Sequence, residues 1–243
     1  MQNFSHFLNE TVALTFEYHD ELNPLLWEHN KMRERIRHRL LQIGQMWSDF
    51  ARIPSEAIKD IVMTGGNCNY NYTPYSDIDV HIMIDPNKMP ISADYRDEWL
   101  YDKKLLWSLK HKHLTVMGYP IELYAQDYNQ PVSNQGFFSL QKNKWLHKPK
   151  YERGIDFKND QDLIRKVEEY AEMIDRVLNE PGDHVAEIVK LKEKLWLMRC
   201  AGIQRAGEFS QENLVYKELR NMGLLNKLND YVQHKQDISL SLY

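Results

Sequence analysis

One stretch, residues 61–84, constrains the fold of this chain more than any other part: IVMTGGNCNYNYTPYSDIDVHIMI. A first apolar run ends in Thr64 and a Gly65–Gly66 pair, and a polar loop then leads to Asp77, Asp79 and a second apolar run. Successive side chains of a strand alternate between its two faces. The pattern therefore predicts a strand with Asp77 and Asp79 on one face. Its core-facing residues would be Ile78, Val80, Ile82 and Ile84.

The paired carboxylates and the glycine turn are suited to holding a divalent metal together with a phosphate chain. Magnesium prefers oxygen ligands and is usually held by one or two carboxylates plus substrate phosphates. Glycine has no Cβ, so a ligand can come close to its main chain, and successive N–H groups in such a turn form an anion-binding concavity. We therefore predict Asp77 and Asp79 as metal ligands beside a phosphate-binding turn.

A third carboxylate is expected from the segment YPIELYA, residues 119–125. Its alternation predicts a short strand with Glu122 and Tyr124 on one face and apolar residues on the other. If this strand lies beside the strand of Asp77 and Asp79, Glu122 points at the same metals and completes a two-metal site.

This arrangement resembles the DNA polymerase β-like nucleotidyltransferase superfamily. The family pattern is a Gly-Gly or Gly-Ser pair, a loop of about ten residues, Asp-apolar-Asp-apolar, and a later acid on a neighbouring strand; its counterparts here are Gly65-Gly66, Asp77-Ile78-Asp79-Val80 and Glu122. The resemblance covers residues 55–127. It implies an α/β (α+β) fold with a small mixed β-sheet core and flanking helices, and the apolar spacing after residue 159 predicts a C-terminal all-helical module. A short segment, residues 207–213, is similar to uncharacterised proteins of tailed bacteriophages.

The resemblance implies a nucleotidyltransferase that uses Mg²⁺ or Mn²⁺. Such an enzyme would move a nucleoside monophosphate from an NTP such as ATP to an acceptor hydroxyl and release pyrophosphate. The residues that it assigns to catalysis and metal binding are Asp77, Asp79 and Glu122. Those that it assigns to the phosphates are Gly65, Gly66, Asn67 and Ser76.

The glycine loop departs from the commoner family form, which has Gly-Ser, then an Arg, then a Gly-Thr pair. At the aligned positions this chain has Gly66, Asn67, Tyr70 and Asn71, so one serine hydroxyl that would contact a phosphate is missing. This loop motivates a second hypothesis, a catalytically silent nucleotide- or RNA-binding module of the same fold. A third is a toxin–antitoxin-type interaction protein whose helical module docks a partner.

Two basic stretches leave an RNA contact open. Residues 31–39 carry a lysine and four arginines, and residues 142–150 carry four lysines around Trp145. Basic residues interleaved with an aromatic can track a nucleic-acid backbone, but the same residues equally suit a solvated surface and a core-packed tryptophan. With a net charge of −4, any such binding needs a local basic patch. Among possible acceptors, the two stretches favour RNA slightly.

The chain of 243 residues is long enough for one large domain or two small ones. We predict a catalytic domain over 1–150 with an N-terminal helical extension, and a helical module over 151–243. The predicted helices cover about 24–50, 96–116, 159–178, 184–206 and two more after Ser210, the last ending near Val232. With no eighteen-residue apolar run and no secretory signal, we expect no membrane partner and a cytoplasmic location.

Overall fold

The computed structural model describes residues 13–130 and 136–242, which divide into two compact units. The sheet unit comprises residues 17–155, and the helical unit comprises residues 13–16 and 156–242. Part of the predicted N-terminal extension, residues 1–12, lies outside the described residues. The predicted domain division at residue 150 stays a prediction.

The sheet unit alternates short strands with two long helices. In chain order its elements are β1 (Trp27–Glu28), β2 (Lys31–Met32), α1 (Glu34–Phe50), β3 (Ile58–Thr64), β4 (Ile78–Ile84), α2 (Ala93–Lys110), β5 (Thr115–Val116), β6 (Tyr119–Asp127), β7 (Phe137–Ser139) and β8 (Lys144–His147). One-turn 3-10 helices at Ser55–Ala57, Gly66–Cys68 and Pro86–Lys88 lie between them.

Six of these strands form one mixed sheet in the order β5-β6-β4-β3-β7-β8. The pairing of β4 with β6 is parallel, and the other pairings in the sheet are antiparallel. Parallel neighbours need a long crossover connection, usually a helix, and α2 lies in the connection between β4 and β6. The mixed α/β fold predicted from the sequence is confirmed.

One face of the sheet is buried beneath the two helices. The predicted core face of β4 is fully buried, and Leu100 and Trp107 of α2 belong to the same apolar cluster. Helix α1 approaches closely at Gly44, where an added Cβ would lie 3.0 Å from Ile61 Cγ2 and 3.4 Å from Ile82 Cδ1. The absence of a side chain at Gly44 therefore sets the distance between α1 and the sheet.

The helix predicted over residues 24–50 is wrong in its first third, because α1 begins at Glu34. Residues 27–32 instead form the β1–β2 hairpin, in which Trp27 pairs with Met32. The two residues of its turn, His29 and Asn30, have φ values of 49° and 63°. Positive φ at both central positions is the geometry of a tight type I′ turn, which matches the twist of paired strands.

The helix predicted over residues 96–116 also ends early, at Lys110. A second tight hairpin accounts for the difference, because Val116 of β5 pairs with Tyr119 of β6 across Met117 and Gly118. These two turn residues have φ values of 53° and 87°. The short strand β5 thus takes residues that the apolar spacing alone assigns to a helix.

The helical unit contains four helices: α3 (Gln161–Asn179), α4 (Val185–Ala206), α5 (Gln211–Asn221) and α6 (Leu224–Leu240). The first begins as predicted, since the Asp160 side chain accepts a hydrogen bond of 3.0 Å from Leu163 N. The predicted end near Val232 is wrong, because α6 continues to Leu240. Within the described residues, no helix combines the length and apolarity that crossing a membrane requires.

We expect Gly44→Val to destabilise the sheet unit. A Cβ at this position already lies 3.0 Å from Ile61 Cγ2 and 3.4 Å from Ile82 Cδ1, so the added methyl groups would overpack the core, which costs about 1–3 kcal/mol. Urea unfolding followed by tryptophan fluorescence measures the effect, since five of the six tryptophans (27, 47, 99, 107 and 145) lie in this unit. The exposed neighbour variant Gln45→Val is the control, and an equal loss in both variants would contradict the close packing at Gly44.

Candidate metal centre

The register of β4 and β6 brings the three predicted acids together. Asp79 and Glu122 are Cα partners in the parallel ladder, and Asp77 lies directly before β4. One ligand oxygen from each of these carboxylates lies within 4.8 Å of the other two, and all three residues are half-buried. Two oxygens on one Mg²⁺, each at about 2.1 Å, can lie at most about 4.2 Å apart, so a small side-chain movement would allow a shared ion.

The glycine turn comes within contact distance of the acids. Thr64, the last residue of β3, is the cross-strand partner of Asp79. Gly65 follows with a φ of 79°, and a Cβ built on it would lie 1.8 Å from Asp79 Oδ2. Any other residue at position 65 would therefore occupy the space of the Asp79 carboxylate. Glycine at position 65 therefore serves two purposes: it leaves space for the Asp79 carboxylate, and it tolerates the positive φ.

Asn67 is buried and contacts the backbone of the first acid, Asp77. Its Nδ2 donates a hydrogen bond of 2.8 Å to the Asp77 carbonyl oxygen, and its Oδ1 accepts one of 2.7 Å from Asn23 Nδ2. Its own carbonyl accepts from the Trp27 indole at 2.8 Å. The side chain predicted to contact a phosphate is thus engaged in positioning the backbone of Asp77.

Ser76 closes the loop just before the first aspartate. Its Oγ accepts a hydrogen bond of 2.9 Å from Thr73 N, while Ser76 N donates to the Thr73 carbonyl at 3.0 Å. A Cβ on Gly66 would lie 3.2 Å from the same Oγ. The structure therefore places Gly66 and Ser76 side by side. Their predicted contact with a phosphate stays a prediction.

Lys104 forms an ion pair with Glu122. It was not among the site residues predicted from the sequence. Lys104 Nζ contacts Glu122 Oε1, and the lysine and glutamate side chains are 25% and 41% exposed. The ammonium also lies 5.5 Å from the centre of the Tyr124 ring. One protein cation thus offsets part of the repulsion among three carboxylates. Its only signal in the sequence is a Lys103–Lys104 pair on a predicted helix, which does not distinguish it from a surface lysine.

His81 follows Asp79 on the same face of β4, where its register partner is Tyr124. Its side chain reaches Gln126 of β6. His81 Nδ1 and Gln126 Oε1 are 2.9 Å apart, so the ring nitrogen donates this bond. Burial lowers the pKa of His81, against smaller raising effects from Gln126 and Glu122. The lowered pKa favours the neutral form of the ring, which carries no positive charge beside the acids.

The basic stretch 142–150 forms part of the sheet edge farthest from β5. Trp145 stacks on Trp27 with ring centres 4.6 Å apart, and its indole donates a bond of 2.9 Å to the Asn30 carbonyl. Lys142 forms an ion pair of 2.9 Å with buried Asp60. Trp145 thus packs against the core and Lys142 pairs with an acid of the same unit, so these two side chains are engaged within the protein. Lys144, Lys148 and Lys150 are exposed.

No protein-family model and no curated protein matches this chain. Among solved structures, one match is a STING-associated CdnE c-di-GMP synthase from Capnocytophaga granulosa. It is 11% identical, the match covers 86% of this chain and 84% of that one, and the TM-score is 0.21. A TM-score this low is no basis for assigning a fold or a function to this chain. Its function is therefore inferred from the contacts of its own site.

We expect Gly65→Ala to weaken metal binding as well as the fold. The new methyl group would displace the Asp79 carboxylate, and the positive φ adds strain, for a combined loss of about 1–3 kcal/mol in unfolding free energy. Calorimetric titration with Mn²⁺ measures the affinity. Gly118→Ala is the matched control, because Gly118 has a φ of 87° but no atom within 4 Å of its added Cβ. Equal Mn²⁺ affinity in the two variants would contradict the contact with Asp79.

We expect Lys104→Met to raise the affinity for Mn²⁺ about three- to tenfold, since the metal would no longer compete with the ammonium for Glu122. This size corresponds to about 1 kcal/mol, the upper range for a partly exposed ion pair. Lys103→Met is the control, because Lys103 lies over the Trp99 ring, 4.0 Å from its centre. An unchanged or weaker affinity in Lys104→Met would show that Lys104 does not compete with the metal.

Proposed function

We propose that this chain is a metal-dependent nucleotidyltransferase of the DNA polymerase β-like superfamily. It would transfer a nucleoside monophosphate from an NTP to an acceptor hydroxyl and release pyrophosphate. One observation carries the proposal: Asp77, Asp79 and Glu122 present oxygens within 4.8 Å of one another, directly beside a glycine turn that contacts Asp79. Hard oxygen donors of this kind fit Mg²⁺ or Mn²⁺.

The residues of the site divide the work. Asp77 and Asp79 would hold the cation that accompanies the triphosphate, and Asp79 and Glu122 would hold one beside the acceptor. A bound metal neutralises charge on the transferred phosphoryl group and lowers the pKa of the attacking hydroxyl. Gly65 and Gly66 would let the β- and γ-phosphates approach the backbone.

The transfer needs no covalent intermediate on the protein. The acceptor oxygen forms a bond to the α-phosphorus as the bond to the bridging oxygen breaks, and pyrophosphate leaves. The proton of the acceptor hydroxyl would pass to a carboxylate oxygen of Asp79 or Glu122, whose negative charge favours its loss. Catalysis of this class depends on positioning and charge neutralisation, which is what a rigid pair of adjacent strands supplies.

For the acceptor we propose an RNA hydroxyl. The exposed lysines of residues 142–150, namely Lys144, Lys148 and Lys150, support this choice, because phosphate contacts position a nucleic-acid strand. They lie in and after β8, which is separated from β4 by β3 and β7. At about 4.8 Å per strand, β8 is about 14 Å from the strand of Asp79.

A second candidate is a nucleotide-binding module without transferase activity. The Lys104–Glu122 ion pair favours it, because a lysine on the third carboxylate occupies the position where an acceptor-side metal would bind. The two candidates differ in one measurable property, which is the appearance of labelled product.

We expect the wild-type protein to transfer label when it is incubated with each α-labelled NTP, Mg²⁺ or Mn²⁺ and total RNA. The variant Asp77→Asn/Asp79→Asn should lose the transfer by at least a hundredfold, because both proposed metal ligands lose their charge. Gel separation of labelled RNA gives the product size and the preferred NTP.

The matched control is Asp97→Asn/Asp102→Asn, which removes the same charge from exposed positions of α2 in the same unit. It should retain the wild-type rate. Transfer that survives in Asp77→Asn/Asp79→Asn would overturn the site assignment. Intact NTP binding by the wild type without transfer to RNA, protein or small hydroxyl acceptors would favour the binding module.

A further inference from the structure

A groove of about 830 Å³ lies within the sheet unit, between α1 and the end of α2 with the β5–β6 hairpin. It is on the helix-covered side of the sheet, because α1 packs against Ile61 and Ile82 while Asp79 and Glu122 belong to the opposite face. The groove therefore shares no residue with the acid cluster. Its volume is within the range of about 300–1,000 Å³ that is usual for small-molecule sites.

One end of the groove is cationic. Arg35, His38 and Arg39 line it from successive turns of α1, next to Met117 of the hairpin. Arg39 Nη1 donates a bond of 3.0 Å to Gln42 Oε1, and the nearby Glu34 carboxylate accepts from Arg37 at 3.0 Å and lies 2.9 Å from His38. Among the described residues that line the groove there is no carboxylate, although the chain has a net charge of −4.

The other end of the groove is aromatic and apolar. The exposed ring of His111 lies against Trp107 with ring centres 4.0 Å apart, and Trp107 contacts Phe50 at the far end of α1. Met46, which is 51% exposed, borders the same end. From Arg35 to Met46 the helix rises about 16 Å, so the cationic and aromatic ends are separated by roughly three helical turns.

We propose that this groove binds a nucleoside phosphate at a site separate from the acid cluster. The phosphates would bind Arg35, His38 and Arg39, since arginine presents planar donors matched to phosphate oxygens. The base would stack on His111, supported by Trp107 beneath it. Met46 and Met117 are polarisable, adaptable side chains that would cover the remaining apolar surface.

The distribution of charge along the groove favours a nucleoside phosphate over a nucleic-acid strand. A nucleic-acid strand presents a phosphate at every nucleotide and is matched by a groove that is basic along its whole length. Here both arginines that line the groove are at one end, and the other end offers the His111 ring and the Met46 thioether. A ligand with one anionic head and one planar body is complementary to that division.

The test is calorimetric titration of the full chain with ADP, and separately with inorganic pyrophosphate, in EDTA so that no divalent metal is present. We expect Arg35→Gln/Arg39→Gln to weaken both ligands at least tenfold. His111→Ala should weaken ADP at least fivefold and leave pyrophosphate unchanged, because it removes only the stacking surface. The same ADP affinity is expected in Asp77→Asn/Asp79→Asn, so the result stands apart from the proposed transferase activity.

The control is Lys148→Gln/Lys150→Gln, which removes two charges beyond β8 at the opposite edge of the sheet from β5. It should bind ADP as the wild type does. The proposal is overturned if the wild type binds no ADP, GDP, CDP or UDP, or if the lysine pair and the arginine pair weaken binding equally. It is also overturned if His111→Ala has no effect on ADP, or if a ten-residue oligouridylate binds the groove more tightly than any of the four nucleotides.

Discussion

The parallel pairing of β4 with β6 is the constraint on which the site depends. It places Asp79 beside Glu122 on one face while Ile78, Val80 and Ile82 enter the core on the other. Because side chains alternate with a period of two, a register shift of one residue would turn Glu122 into the core and expose its apolar neighbours. Burial of the core face therefore fixes the geometry of the polar face.

Bringing three carboxylates together is unfavourable, and the structure reduces the repulsion in two ways. The acids are half-buried and so keep contact with water, and Lys104 supplies a cation to Glu122. The glycine at position 65 leaves the Asp79 carboxylate the space it occupies. Because the acids are half-buried, a cation from solution can reach them. To bind Glu122, that cation must displace the Lys104 ammonium.

The sequence predicted the alternating strand of Asp77 and Asp79, the strand of Glu122 and the helices of the C-terminal part, because each has a strong local period. The hairpin at residues 27–32 escaped prediction, since it depends on His29 and Asn30 adopting left-handed backbone angles that neither residue requires. Lys104 escaped because its contact depends on how α2 docks beside β6. Asn67 is placed by Asn23 and Trp27, which are some forty residues away in the chain, so its positioning role has no local signal.

Anomalous diffraction from crystals grown with Mn²⁺ and a non-hydrolysable NTP analogue tests the assignment of the acid cluster most directly. We predict a manganese peak bound by oxygens of Asp77 and Asp79, with the triphosphate against Gly65 and Gly66. A second manganese ion bound to Glu122 would require the Lys104 ammonium to move away from that carboxylate. An ordered analogue bound elsewhere, with no peak at the aspartates, would contradict the assignment of this cluster as a metal centre.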